Sequence, residues 1–524
     1  MRLHWRITYR VLLIAALLFA CTGAGATVVT GMVSCDGAPV AGVAVSDGQQ
    51  VVLTGSDGAY KLKSRLELGY VFVSVPSGYE VPSDGVIPRF FARISASEKK
   101  ARADFALRKV DQSECNIIVY NDIHLVGDRK DKDLQQAHEG FFPDVMALYE
   151  QIKDKPVYGL TLGDMTSDNK WYVNNFALPE YLEEVGCFPF QIWHAMGNHD
   201  NDMHGGGGDL KSSDTYRRVI GPNYYSLNIG GFHVVVTDNI YYDNPFNSEG
   251  IVESARGYHV HLDDMQTAWL LNDLRFVDAA TPVILVSHAP FARVTGVENG
   301  KDKTKDGFTG GYYSDDILQL FRKFPYVYLL TAHTHENYYV QISPKMLEHN
   351  NIGVSAASWK TKAVCGFNMI GDGVPGGYAV YTVKGDSLSW YYKAPGMRME
   401  DCQFRVYDMN SVPAAYRGPA SENDIWVNVF NYDPMWRVEV SENGVPLEVR
   451  REYLKDPLYR LGVENHRVGQ GTFKPRNTNH MFTAHASEAG STIEVRVTDR
   501  FGRVFRQTVE RPAYFGLDMN LGNK

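Results

Sequence analysis

Five short segments of this chain carry side chains that can hold metal ions: Asp122-Ile123-His124, Gly163-Asp164, Gly197-Asn198-His199-Asp200, Ser287-His288 and His333-Thr334-His335. Each follows an apolar run, and they stand in one order along the middle of the sequence. A lone Asp-x-His after a strand is more often a loop cap, and a lone Gly-Asp is more often a turn. Together they bring carboxylate, carboxamide and imidazole donors in the number that two cations sharing one carboxylate require. Such a pair suits attack on a phosphate ester. Cations about 3.5–4 Å apart neutralise the phosphoryl oxygens, and water between them loses its proton near neutral pH. Mixed imidazole and carboxylate donors favour Mn, Fe or Zn over Ca or Mg.

Strands must deliver these residues. Asn116–Tyr120, Tyr158–Leu162, Pro282–Val286 and Tyr326–Leu330 are continuous apolar runs, typical of strands buried on both faces, and they precede Asp122, Asp164, His288 and His333. The spacing places Asp122 and His124 on one side of an extended segment at period two. Between the strands, Leu134–Lys153 repeats its apolar residues on a helical period, as do Met265–Phe276 and Asp315–Arg322. Alternating strands and helices predict an α/β region over 109–398, with the ligands beyond strand ends.

The flanks read differently. Residues 27–108 are short alternating strands broken by Asp36-Gly37, Asp47-Gly48 and Asp57-Gly58, strong hairpin signals that predict a small β-sandwich. There the stretch GMVSCDGAPVAGVAV (31–45), followed by Asp57-Gly58-Ala59-Tyr60, resembles the carboxypeptidase-regulatory-like repeat. Residues 399–524 return to this style, with Ile425–Phe430, Arg437–Val440, Ile493–Thr498 and Val504–Glu510 as strands and Glu442-Asn443-Gly444 as a turn, and predict a second β-sandwich.

The middle of the chain resembles the calcineurin-like metallophosphoesterase superfamily, whose pattern D-x-H, G-D, G-N-H-[DE], H and G-H-x-H appears here with Ala332 in place of the last glycine. Over most of the mature chain the likeness is to the bacterial three-domain type. The resemblance implies a central four-layer α/β/β/α metallophosphoesterase domain flanked by N- and C-terminal β-sandwich domains. It implies that Asp122, His124 and His335 bind one metal, Asn198, His288 and His333 the other, and that Asp164 bridges both. His199 would be the general acid, with Asp200 orienting it, and attack on phosphorus would come from metal-bound hydroxide without a covalent enzyme intermediate. The protein-phosphatase variant Gly-Asp-x-x-Asp is absent, because position 167 is Ser and the acid is Asp168. Arg293 and His204 follow the motifs as candidate substrate contacts, with Asn337, Trp359 and Lys360 as further cleft residues. His194 reads as a packed histidine.

The formal charge of −9 becomes −12 without Arg2, Arg6 and Arg10 of the first 26 residues, which hold no acid (−9 − 3). So acidic a chain is a poor nucleic-acid binder, which disfavours a nuclease. Residues 1–26 read as an export signal: a basic start, then the apolar run Val11–Ala20, short for a bilayer. Two cleavage sites compete, Ala24-Gly25-Ala26 and the lipobox-like Leu18-Phe19-Ala20-Cys21. The expected location is therefore the periplasm or the cell envelope, the latter as an outer-membrane lipoprotein, with membrane contact limited to the lipid anchor. The other cysteines (Cys35, Cys115, Cys187, Cys365, Cys402) show neither a disulfide framework nor zinc spacing. The expected partner is a phosphorylated small molecule or envelope component, as mono- or diester. The competing reading is an envelope glycan- or polymer-binding protein with a vestigial metal site.

Overall fold

The computed structural model describes residues 26–95, 97–253, 256–466 and 474–523. The expected export signal and lipobox-like site lie outside the described residues. No helix among them is long and apolar enough to cross a membrane.

Two sheets carry the middle of the chain. The first runs Ile192–His194, Val157–Thr161, Glu114–Tyr120, Tyr378–Lys384, Ser387–Lys393 from edge to edge. Its first three strands are parallel, and the last two return antiparallel from far along the sequence. The second runs Tyr225–Ile229, Phe232–Val236, Val283–Val286, Val327–Thr331, Met346–Asn350, Tyr338–Ser343. Alternation along Glu114–Tyr120 shows how the layers meet. Cys115, Ile117 and Val119 share a buried cluster with Val234, Leu285 and Leu329 of the second sheet. Ile118 and Tyr120 point the other way, into a cluster with Phe141, Val145 and Leu148 of a helix. Each such aliphatic side chain contributes about 1.5–3 kcal/mol when fully buried.

Helix Phe142–Ile152 buries Phe142, Val145 and Leu148, which lie on one face at helical spacing. The segment before it is helical too, but includes a π turn at Ala137–Phe141. Helix Asp264–Leu274 starts where the Asp263 carboxylate accepts the Gln266 amide at 2.6 Å, which satisfies an otherwise orphaned donor.

The flanking regions are mostly β. Before the centre, Thr27–Cys35 pairs with Ala59–Ser64, Lys100–Arg102 and Phe105–Lys109, and a second sheet holds Tyr70–Val73 and Ala44–Ser46. Asp36 (φ 50°) and Gly37 (φ 79°) make the first hairpin turn as their dipeptide predicts. This region joins the central core, with the Phe90 and Trp193 rings 4.9 Å apart. After the centre, Phe404–Asp408, Asp424–Val429, Asn477–His485 and Val449–Lys455 form one sheet, and Val445–Pro446, Arg437–Glu442, Thr492–Thr498 and Val504–Glu510 another. Both feed one buried cluster, Val427 and Phe482 from the first sheet meeting Val440 and Val495 from the second. The hairpin Ala292–Glu298/Lys301–Asp306 was not expected as strand; its second arm is KDKTKD, too charged to read as one. Cys35, Cys115, Cys187, Cys365 and Cys402 are all free thiols.

Candidate metal centre

The loops leaving the parallel strands meet where the two sheets face each other. Asp122 and His124 follow Glu114–Tyr120, Asp164 follows Val157–Thr161, Asn198 follows Ile192–His194, His288 follows Val283–Val286, and His333 and His335 follow Val327–Thr331. The turns are sharp. Asp122 (φ 44°), His124 (φ 45°), Asp164 (φ 55°), His333 (φ 72°) and His335 (φ 51°) all lie in the left-handed region, which is rare for residues with a Cβ. The period-two expectation for Asp122 and His124 is therefore corrected: a left-handed bend, not an extended strand end, turns each inward. Strain of this kind persists where surrounding structure enforces it. Two glycines make the approach possible. A Cβ on Gly163 would lie 2.6 Å from the Gly197 nitrogen, and one on Gly197 would lie 2.3 Å from Asp164 Oδ1.

The inward atoms are almost all lone-pair donors. His124 Nδ1 faces the Thr166 carbonyl at 3.1 Å, His288 Nδ1 the Leu162 carbonyl at 2.7 Å, and His335 Nδ1 the Ala356 carbonyl at 2.6 Å. A carbonyl accepts, so each Nδ1 carries the proton and each Nε2 turns a lone pair inward. His124 Nε2 and His335 Nε2 stand 3.1 Å apart, with Asp122 Oδ1 at 3.8 and 3.4 Å from them. Asp122 Oδ1 is buried with no hydrogen-bond partner. On the other side His288 Nε2 is 3.1 Å from Asn198 Oδ1, which is 2.9 Å from His333 Nδ1. Asp164 Oδ2 lies between the two groups, 3.7 Å from His124 Nε2 and 3.3 Å from His288 Nε2. Acceptors converging this closely repel one another unless a cation or a proton stands among them, and once the His288 Nε2 proton is released the donor chemistry fits metal. Asp122, His124 and His335 form one potential cation cluster, and Asp164, His288 and His333 another.

Charge follows the same geometry. Burial holds the His124 and His333 imidazoles well below the ordinary histidine value. Burial also opposes a proton on His288, but the Asp164 carboxylate outweighs it and pushes that imidazole up to about 9. For Asp164, burial opposes the charge, yet His288 and His199 hold the carboxyl well below its usual range.

His199 lies against this cluster, with its amide donating to Asp164 Oδ1 at 2.8 Å. Its Nδ1 is 2.7 Å from Asp168 Oδ1, and Arg256 Nη2 is 3.0 Å from the same nitrogen. Arg256 Nε also pairs with Asp168 Oδ2 at 2.9 Å. The expectation that Asp200 orients His199 is corrected. Asp200 Oδ2 accepts the amides of Asp164 (2.8 Å) and Gly197 (2.9 Å), and Oδ1 those of Met165 (2.9 Å) and Thr166 (3.3 Å). It clamps two ligand loops together, and Asp168 is the carboxylate at the histidine. Asp200→Ala orphans four buried amides and should cost about 2 kcal/mol or more in stability. Denaturant unfolding alongside metal analysis checks this, with metal content falling too.

An open cleft of about 370 Å³ exposes the cluster, and Arg256, Tyr258, Arg293 and Arg476 line it. Arg293, expected as a substrate contact, is among the lining residues. His204 is not: it is exposed and its ring packs on Tyr172 at 5.1 Å, because the Gly205–Gly208 loop carries it outward. Asn337 and Trp359 are buried away from the cleft, the former donating its backbone N–H to Asp372 Oδ2 at 2.9 Å and its side-chain amide to the Phe430 carbonyl, the latter its indole N–H to the Ile123 carbonyl at 2.7 Å. Lys360 lies 4.0 Å from Asp131, also off the cleft lining. His194 is buried, and burial pushes its imidazole down to about 3. Arg256 and Arg476 escaped the sequence reading; each comes from a segment with no motif around it.

Family models match the chain in three consecutive parts: N terminal of Calcineurin-like phosphoesterase over residues 27–110, Calcineurin-like phosphoesterase over 115–337, and C terminal of Calcineurin-like phosphoesterase over 348–505. No curated protein matches it. Among solved structures, a dimetal phosphatase from Danio rerio is 12% identical, with 53% of this chain and 97% of that one covered and a TM-score of 0.37. PhoD is 10% identical over 78% of this chain and 84% of its own, with a TM-score of 0.35. A 5'-nucleotidase from Candida albicans is 10% identical over 53% and 50%, with a TM-score of 0.29.

Proposed function

Because this chain belongs to the calcineurin-like phosphoesterase family and is a metal-dependent phosphoesterase, we propose that its central cleft is a dinuclear centre that hydrolyses phosphate mono- or diesters. The observation that carries this is the acceptor-rich cluster around Asp164 Oδ2. Asp122, His124 and His335 would hold one divalent cation, Asn198, His288 and His333 would hold the second, and Asp164 would be shared between them. Mn, Fe or Zn suits these donors. Two such cations, when bound, neutralise phosphoryl oxygens and make water a nucleophile at neutral pH.

The chain's own residues do the rest. His199 faces the cleft with a proton to give. Burial opposes that proton, but Asp164 and Asp168 outweigh burial and raise the imidazole above its ordinary value. Asp168 fixes the ring through Nδ1, and Arg256 holds Asp168. His199 also lies within ligand range of His124 and Asp164. With Nδ1 committed to Asp168 and a guanidinium against the ring, it serves as the acid rather than as a ligand.

The shared cluster between the two central sheets, with helices outside, supports a four-layer α/β/β/α domain over 109–398. The paired sheets on either side support β-sandwiches over 27–108 and 399–524. The N-terminal signal supports export to the periplasm or envelope, where a phosphorylated small molecule or envelope component is the substrate. Asn198→Ala and His333→Ala each remove a ligand of one cation. With Mn supplied, both should lower hydrolysis of p-nitrophenyl phosphate and of its bis ester by about 10²-fold or more, since second-shell losses alone reach 10–100-fold. Turnover untouched by both substitutions would sink the proposal.

A further inference from the structure

The C-terminal region reaches into the cleft. Arg476, which immediately precedes strand Asn477–His485, lines it beside His333, Thr334 and His335. Its Nη1 is 2.7 Å from Glu336 Oε1 and 3.3 Å from the Thr334 carbonyl. Arg293 lies on the same side, close enough for its charge to act on Glu336 and His333. Among the described residues the Arg293 guanidinium has no ion-pair or hydrogen-bond partner, although it is half-buried. Its hairpin, Ala292–Glu298/Lys301–Asp306, is also tied to the C-terminal region. Asp302 pairs with Arg451 at 3.1 Å and accepts the Asn479 amide at 2.9 Å, and Arg451 donates to the Gly300 carbonyl at 2.8 Å.

Three arginines line this cleft. Arg256 stands with His199 and is balanced by Asp168. Arg293 and Arg476 line the cleft beside His333, where Glu336 acts on both guanidiniums, buried Glu348 acts also on Arg293 and buried Asp372 also on Arg476. A half-buried guanidinium with no partner, beside a second one, is an incomplete anion site. The cleft volume of about 370 Å³ leaves room beyond one phosphoryl group.

We infer that Arg476 of the C-terminal region and Arg293 form a second anion site beside the metal centre, which selects phosphate esters bearing a further anionic group, phosphate or carboxylate. This rests on the phosphohydrolase reading for the scissile group, but the anion site is testable without turnover. Calorimetry on the metal-loaded full chain compares methylphosphonate, phosphonoacetate and methylenebisphosphonate. The first lacks a second anion, and the other two separate carboxylate from phosphate as the preferred group. Wild-type protein should bind the better dianionic ligand about tenfold or more tightly than methylphosphonate, the scale of one charge-assisted hydrogen bond. Arg476→Gln and Arg293→Gln should each collapse that ratio, and Arg476→Lys should keep most of it. Equal affinity for all three ligands in the wild type overturns the inference. So does a parallel weakening of all three in the variants, which marks a merely structural role. Hydrolysis of p-nitrophenyl phosphate is followed in the same samples. Selective binding with no turnover would refute the phosphohydrolase reading and leave the anion site standing.

Discussion

Asp164→Asn should abolish nearly all turnover while leaving the fold intact. Among the described residues, Asp164 Oδ2 is the one carboxylate oxygen within 4 Å of both His124 Nε2 and His288 Nε2, and hence between both clusters. An amide keeps the size, and its oxygen can still accept the His199 amide as Oδ1 does at 2.8 Å. What it loses is the charge that draws two cations together. Lewis-acid stabilisation is worth several kcal/mol, so the rate should fall roughly 10³–10⁴-fold. Metal analysis should show fewer than two ions per chain. A variant that keeps both ions and its full rate would remove Asp164 from the centre.

The same substitution has a signature in the metal-free protein. There Asp164 holds the His288 imidazole up at about 9, above the ordinary histidine value. A raised value in the folded state stabilises it fully below about 6.5, and the contribution fades as pH rises through about 9. Metal-free wild type should therefore lose stability across that window, and Asp164→Asn should show a flatter profile. Proton and cation compete for the same Nε2, so metal uptake below about pH 9 should release a proton.

The candidate ligand residues were legible because apolar runs buried on both faces are hard to mistake and each one ends in a polar motif. Asp122, Asp164, His288 and His333 all stand beyond such runs. Their backbone was not legible. Period two is the default after a strand, and only the crowded meeting of two sheets enforces left-handed Asp122 and His124. Asp200 misled because adjacency in sequence suggested contact with His199. A three-residue 3-10 turn over Asn198–Asp200 instead swings its carboxylate onto the amides of both ligand loops. Asp168 was visible as an acid one place beyond the familiar spacing, but its partner depends on Arg256, which lies 57 residues from His199. Arg476 is farther still, 140 residues from Glu336, and its place depends on packing between regions rather than on any local pattern. The closing strands Tyr378–Lys384 and Ser387–Lys393 were hidden for the same reason, since the first pairs with a strand more than 250 residues earlier in register Glu114↔Lys384 and the second pairs only with the first.

His199→Ala should keep both metals and lose rate, by the 10²–10⁴-fold typical of a missing general acid. The size of the loss should track the leaving group. An alkoxide must be protonated as it departs, whereas p-nitrophenolate leaves well unaided, so alkyl phosphates should suffer most. Asp168→Asn supplies the complementary case. Burial opposes a proton on His199, and the Asp164 and Asp168 carboxylates restore it. Removing the Asp168 charge should lower the His199 value and move the alkaline limb of the rate profile to lower pH, because the acid form then disappears sooner. A histidine that merely filled space would change neither leaving-group dependence nor pH profile. Because His199 lies within ligand range of His124 and Asp164, metal analysis is the deciding control. If His199→Ala loses a cation, the residue is a ligand, and the proton must come from elsewhere in the cleft.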